Sequence, residues 1–231
     1  MTDPSFGPDE IARHFTRSDG SYAFARWARP FAPVVFGVED ETIPVIKGAI
    51  EAVGRLNRQG IADTDRELGV NLMIFFLRDW DEMAGVPDLD RLLPDAAGLS
   101  ARLAAAQATQ YRSFRFDPQG AIRACFVLLR MDAEMAALPA EALALDQAVR
   151  AALLWSDQAF ATRSPLVTLP AGGTVLRAEI AQLIRAASDP VMPDVAQDPA
   201  HALRLAARIA AGAAPAPTST PTSPPTGPAA Q

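Results

Sequence analysis

Cysteine is almost absent: Cys125 stands alone among 231 residues. One thiol forms no intrachain disulfide and rules out a zinc site built from several cysteines. Its neighbours, Ala-Cys-Phe-Val-Leu-Leu, suit a small buried hydrophobe better than a nucleophile. Histidine is nearly as scarce, with only His14 and His201. Neither is followed by a ligand residue at i+4 or has a cysteine nearby, so both read as surface or capping residues. Lys47 is the only lysine, and the formal net charge is −6. That balance disfavours non-specific binding to nucleic acid or anionic lipid. No apolar run approaches the roughly 18 residues of a membrane span, so no membrane span is expected. The N-terminus has no basic segment leading into an apolar one. Read as written it is no signal peptide, and the expectation is a cytoplasmic protein, exported only if the true start lies upstream.

Several catalytic motifs are missing too. There is no Walker-type phosphate loop, no dinucleotide fingerprint after a strand and no Gly-x-Ser-x-Gly elbow. Ala171-Gly172-Gly173-Thr174 reads as a plain turn with Thr174 as N-cap of a following helix. Acidic clusters at Glu39-Asp40-Glu41, Asp79 to Glu82 and Asp88 to Asp90 read as solvated loop charge and helix N-terminal matching. The Asp79-x-Asp81-Glu82 spacing lacks the glycine and distal glutamate of a calcium loop. No metal or other cofactor is expected. Arg13, Arg17, Arg26 and Arg29 are interleaved with Asp9, Glu10 and Asp19, and read as solvated charge on a surface arm.

What is present points to one globular domain. Hydrophobic residues make up 49% of the chain, enough for a sizeable core. Residues 31–38 and 70–77 read as strands, the second as a central one covered on both faces. Residues 43–59 read as an amphipathic helix, with Ile43, Ile46, Ile50, Val53 and Leu56 at helical spacing. A hairpin follows a second helical stretch at 87–108: residues 111–116 alternate, Asp117-Pro118-Gln119-Gly120 has turn chemistry, and 121–130 return as an apolar strand. Helices are expected at 139–155, 174–187 and 199–211. The fold class is α/β: a small mixed sheet with a hairpin, packed by helices. The organisation is an arm at 1–24, an α/β domain at 25–193, a C-terminal helix at 194–212 and a Pro/Thr/Ser/Ala-rich tail at 213–231, expected to be disordered.

The order strand, helix, strand, hairpin, helix resembles that of zincin metalloprotease domains. Short motifs resemble one group in particular, an uncharacterised family of mostly exported bacterial proteins with a zincin-like layout. Those motifs are Arg26-Trp27-Ala28-Arg29-Pro30 leading into the first strand, Asn71-Leu72 at the second, Leu154-Trp155-Ser156-Asp157 after the long helix, and Ala187-Ser188-Asp189-Pro190 followed by Val191-Met192-Pro193. The likeness covers roughly residues 25–193. It implies that the helix at 139–155 stands where a zincin carries His-Glu-x-x-His, in which two histidines bind zinc and the glutamate is the general base. Here that window reads Asp146-Gln147-Ala148-Val149-Arg150. Arg150 stays protonated and ligates no metal, and Gln147 is no base.

The reading that follows is a non-catalytic, zincin-like protein whose degenerate cleft, with Asp146, Gln147, Arg150, Trp155 and Asp157, binds or scaffolds a protein partner. Trp27, Trp80 and Trp155 are candidate anchors, with Trp155 expected to line the cleft. Two alternatives stand beside it. One is a hydrolase-like enzyme using Asp146 and Asp157 with Arg150, which requires those side chains to converge. The other is an assembly factor tethered by its tail.

Overall fold

The computed structural model describes residues 6–213; the expected disordered tail lies outside the described residues from 214 onward. A mixed four-stranded sheet is the centre of the fold. Its order is β2 (Pro33–Phe36), β3 (Leu72–Leu77), β5 (Ile122–Arg130), β4 (Gln110–Phe116), where these strands follow a short β1 (Phe24–Ala25) in the chain. β2, β3 and β5 are parallel, and β4 runs antiparallel to β5 at the edge.

Alternation along the strands sorts side chains to two cores. Leu72 and Ile74 of β3 with Cys125, Val127 and Leu129 of β5 face one. Phe75 and Leu77 with Ala124, Phe126 and Leu128 face the other. Both faces being covered, the two central strands read as continuous apolar runs. The larger core is closed by α1 (Pro8–Arg13), α2 (Ile43–Leu56), α6 (Ala140–Ala152), α7 (Ala178–Ala187) and α8 (Ala200–Ala213). The smaller core is closed by a 3-10 stretch at Trp80–Gly85, α3 (Leu89–Leu92) and α4 (Ala96–Ala105), while α5 (Ala133–Ala136) follows β5.

The hairpin forms as its sequence requires. Asp117 Oδ1 accepts from the Gln119 and Ala121 amides, each at 2.9 Å, and Gly120 takes φ +90°. The helix expected at 174–187 is shorter and is preceded by a second hairpin, β6 (Leu166–Thr168) with β7 (Thr174–Leu176). Gly172 and Gly173, at φ +88° and +82°, turn the chain back in a conformation that side chains with a Cβ rarely adopt. Thr174 is therefore a strand residue, and Arg177 is the N-cap of α7. The helix expected at 139–155 ends at Ala152, since Leu153 is extended.

The N-terminal segment is core rather than a surface arm. Ile11 and Phe15 are fully buried, and α1 packs on α8. Of the four arginines read as solvated charge, Arg13 and Arg17 are exposed as expected, whereas Arg26 Nε donates to Asp194 at 2.7 Å and Arg29 to Asp65 at 3.3 Å. Both histidines are buried as well, contrary to the surface reading. His14 Nδ1 lies 2.8 Å from the Glu10 carbonyl, and His201 Nδ1 lies 2.9 Å from Tyr22 Oη. β8 (Val195–Ala196) pairs with β1, so residues 24–26 bridge the C-terminal segment and the end of α6, where Arg26 pairs with Leu153.

Candidate functional site

Three of the motif residues behind the family likeness, Asn71, Trp27 and Asp189, have local structural tasks. Asn71, with no exposed surface, accepts from the Ala32 amide at 2.8 Å. Its amide nitrogen donates to the Pro30 carbonyl at 2.9 Å and to Asp65 at 3.1 Å. One side chain thus fixes the start of β2 against the start of β3. The Trp27 indole donates to the Ala151 carbonyl at 2.8 Å, satisfying an acceptor in the last turn of α6. Asp189 accepts from the Val191 amide at 3.0 Å and pairs with Arg208 of α8.

A groove of about 970 Å³ runs between the β4 end of the sheet, α6 and the β6–β7 hairpin. Its apolar wall includes Met135, Leu138, Leu143, Leu166 and Val167. Gln110, Asp146 and Gln147 supply polar groups. That mixture, an apolar surface with a few convergent polar groups, is the usual character of a binding site. A smaller cavity of about 380 Å³ lies between α1, residues 158–164 and the start of α7. Glu10 pairs there with Arg13, and Glu179 with Arg163.

One edge of the groove is a strand with an open ladder. The Arg130 amide donates to the Thr109 carbonyl at 2.8 Å, and β4 stays in register with β5 from Gln110↔Leu129 to Arg115↔Ala124. Bonded and non-bonded pairs alternate in an antiparallel ladder. The amides and carbonyls of Gln110, Arg112 and Phe114 therefore point away from β5. Among the described residues no backbone group of another segment pairs with them; the Arg115 side chain reaches the Phe114 carbonyl at 3.4 Å.

The positions that the metalloprotease likeness assigns to metal ligands hold an ion pair. Arg150 Nε donates to Asp146 Oδ2 at 2.7 Å, across one turn of α6. Gln147, itself buried, donates to Asp146 at 3.1 Å and to Gln110 at 3.4 Å, and accepts from Arg112. This set does not fit zinc: it offers one carboxylate already bound to a guanidinium, a second guanidinium that never loses its proton, and a neutral amide. Among the described residues no three His, Cys, Asp or Glu side chains come together as metal ligands.

The remaining candidates lie elsewhere. Asp157 is exposed and accepts from the Ser18 amide at 3.0 Å; hydrogen bonds from Ser18 hold its carboxyl below the ordinary value. It bonds to neither Asp146 nor Arg150 among the described residues, so the three side chains of the hydrolase alternative do not form one hydrogen-bonded set. Trp155 is not on the groove wall. It stacks on Phe15 at 5.5 Å, and its indole donates to the Val149 carbonyl at 2.8 Å. Trp27 and Trp80 are buried in the two cores. Cys125 of β5 is buried in the larger core, and burial pushes its thiol up to about 12, far from thiolate chemistry at neutral pH.

The sequence reading missed Gln110 and Arg112. Arg112 lies on the α6 face of β4, and its Nη2 donates to Gln110 at 2.9 Å and to Gln147. Burial first, and then the charge of Arg150, pull its guanidinium down to about 10. It remains a cation at neutral pH. The alternation Tyr-Arg-Ser-Phe-Arg-Phe marks a strand but does not say which face meets a helix. Comparison with family models, with curated proteins and with solved structures finds no match.

Proposed function

We propose that the chain is a non-catalytic binding protein on a zincin-like scaffold, and that its groove takes an extended segment of a partner polypeptide. The observation that carries the reading is the Asp146–Arg150 pair. It occupies one turn of the helix at the two positions where a zincin needs neutral histidines. Three further features support it. The strand order ends on an antiparallel edge strand beside that helix. Among the described residues the edge has backbone donors and acceptors that no other segment pairs with, which an added strand satisfies. The groove beside it is apolar enough to hold alternate side chains of such a strand.

The test uses the full chain, labelled with 15N, and the neutral peptide Ac-Val-Thr-Val-Gln-Val-Thr-Val-NH2. The expected result is a shift of the Gln110, Arg112 and Phe114 amide resonances, with the peptide recovered intact by mass spectrometry. Elemental analysis of the same sample is expected to give well below one zinc per chain. Cleavage of the peptide or stoichiometric zinc would overturn the non-catalytic reading. Binding that leaves the β4 amides unmoved would overturn the groove.

A further inference from the structure

We propose that the groove selects its ligand by a carboxylate: an Asp or Glu side chain of the extended segment that reaches Arg112 past Gln110 and Gln147. The proposal rests on the reading of the groove given above and names the chemistry of its occupant.

Arg26, Arg29 and Arg208 each reach a carboxylate, those of Asp194, Asp65 and Asp189. Arg112 ends on neutral acceptors instead, the side-chain oxygens of Gln110 and Gln147. Its Nε is buried and has no hydrogen-bond partner among the described residues. Asp146, the nearest carboxylate of the cluster, already accepts from Arg150 at 2.7 Å and from Gln147 at 3.1 Å. Two guanidiniums therefore share one carboxylate, and the cluster carries one uncompensated positive charge.

A buried cation is costly without an anion to pair with, and arginine does not escape by losing its proton. Most of Arg112's surroundings are protein, but the two glutamines that hold it both line the groove. They stand between the ligand space and the guanidinium. A ligand carboxylate entering from the groove replaces a neutral acceptor on Arg112 with a charged one, and such a hydrogen bond is roughly twice as strong. An extended segment paired with β4 presents alternate side chains to the same face as Gln110, Arg112 and Phe114. One acidic residue at the matching position supplies the missing charge. Glu141, also on the groove wall, is exposed and lies five positions before Asp146 in the sequence. It adds negative charge at the rim and disfavours a ligand acidic throughout, so the fit is to a mostly apolar segment with one acidic residue.

The test compares Ac-Val-Thr-Val-Glu-Val-Thr-Val-NH2 with its glutamine counterpart on the full chain by calorimetry. The glutamate peptide is expected to bind about tenfold or more tightly. In Arg112→Met that preference is expected to disappear while binding of the glutamine peptide persists. Equal affinity of the two peptides for the unaltered chain, with the β4 amides shifting for both, would overturn the carboxylate proposal and leave the groove standing. Binding of neither peptide would overturn both. A readout on the unaltered chain covers the case in which Arg112→Met does not fold: the Nε–H resonance of Arg112 is expected to move with the glutamate peptide and not with the glutamine one. No difference between the peptides at that resonance overturns the proposal.

Discussion

At the β2 edge the sheet stops on four residues that begin with Pro33. Just before them, Phe31 donates to the Gly60 carbonyl at 3.1 Å and accepts from the Ala62 amide at 2.8 Å. Ala32 faces inward to Asn71, so alternation turns Pro33 and Val35 outward. Proline has no amide hydrogen, which leaves Val35 the one outward donor of that strand. At the β4 edge the strand has seven residues, and the amides of Gln110, Arg112 and Phe114 face out. Exposed edges invite strand addition, and proteins commonly blunt them with short strands, proline or a covering segment. Here one edge is blunted in those ways, and the other, among the described residues, is left without a partner strand next to a groove. On the reading proposed above, that difference is what makes the open edge the surface for a partner.

Proline scanning gives the sharpest way to break that comparison. Ser113 donates inward to β5, so Ser113→Pro is expected to cost about 3 kcal/mol or more in urea unfolding. Gln110→Pro removes an outward donor and is expected to cost far less, about 1 kcal/mol, while abolishing peptide binding. Equal costs at the two positions would show that the ladder does not alternate as described. At the blunted edge, Asn71→Ala leaves the Ala32 amide and the Pro30 carbonyl without their partner. The expected loss is about 2–3 kcal/mol, read from the urea midpoint. A loss below about 0.5 kcal/mol would mean that Asn71 does not hold that edge. Peptide binding in a soluble Asn71 variant should survive, because the two edges are separate.

The smallest effect concerns acid. Burial, and then the charge of Arg204, hold His201 down to about 4, against an ordinary 6.5. The unfolded chain then binds the proton more readily than the folded one. Stability from this group is complete above pH 6.5 and is lost as pH falls from 6.5 toward 4. His14, also depressed chiefly by burial, adds to the slope. Unfolding midpoints at pH 7 and pH 5 should differ in that direction, and His201→Phe should flatten the slope. Both edges respond alike to this change, so peptide binding that fell more steeply than stability would point to a titrating group in the groove.

Much of the scaffold was legible because it depends on local chemistry. The apolar run at 121–130 became the central strand β5, and Asp117-Pro118-Gln119-Gly120 became its turn. The second hairpin was hidden because Thr174, Val175 and Leu176 run directly into the apolar stripe of α7, so one long helix explained the pattern as well. Asp146 and Arg150 were legible as an i,i+4 pair, since one turn of helix brings them together. Arg112 was not, because Gln147, the partner that ties it to the helix, lies 35 residues away. Trp155 was misread for the same kind of reason: Phe15, which it stacks on, sits in a segment whose composition looked like solvated surface.

The contacts between the ends of the chain set an order on its birth. Arg26 bonds to groups 166 and 168 residues later, and Tyr22 to His201, 179 residues on. While a ribosome is still making the chain, Tyr22, Phe24 and Arg26 wait without their partners until nearly all of the described protein has emerged. The sheet, whose strands end at residue 130, has its parts well before that. Contacts of such separation slow folding, and Tyr22, Phe24 and Arg26, made long before their partners, are among the last of the described residues to reach their final neighbours.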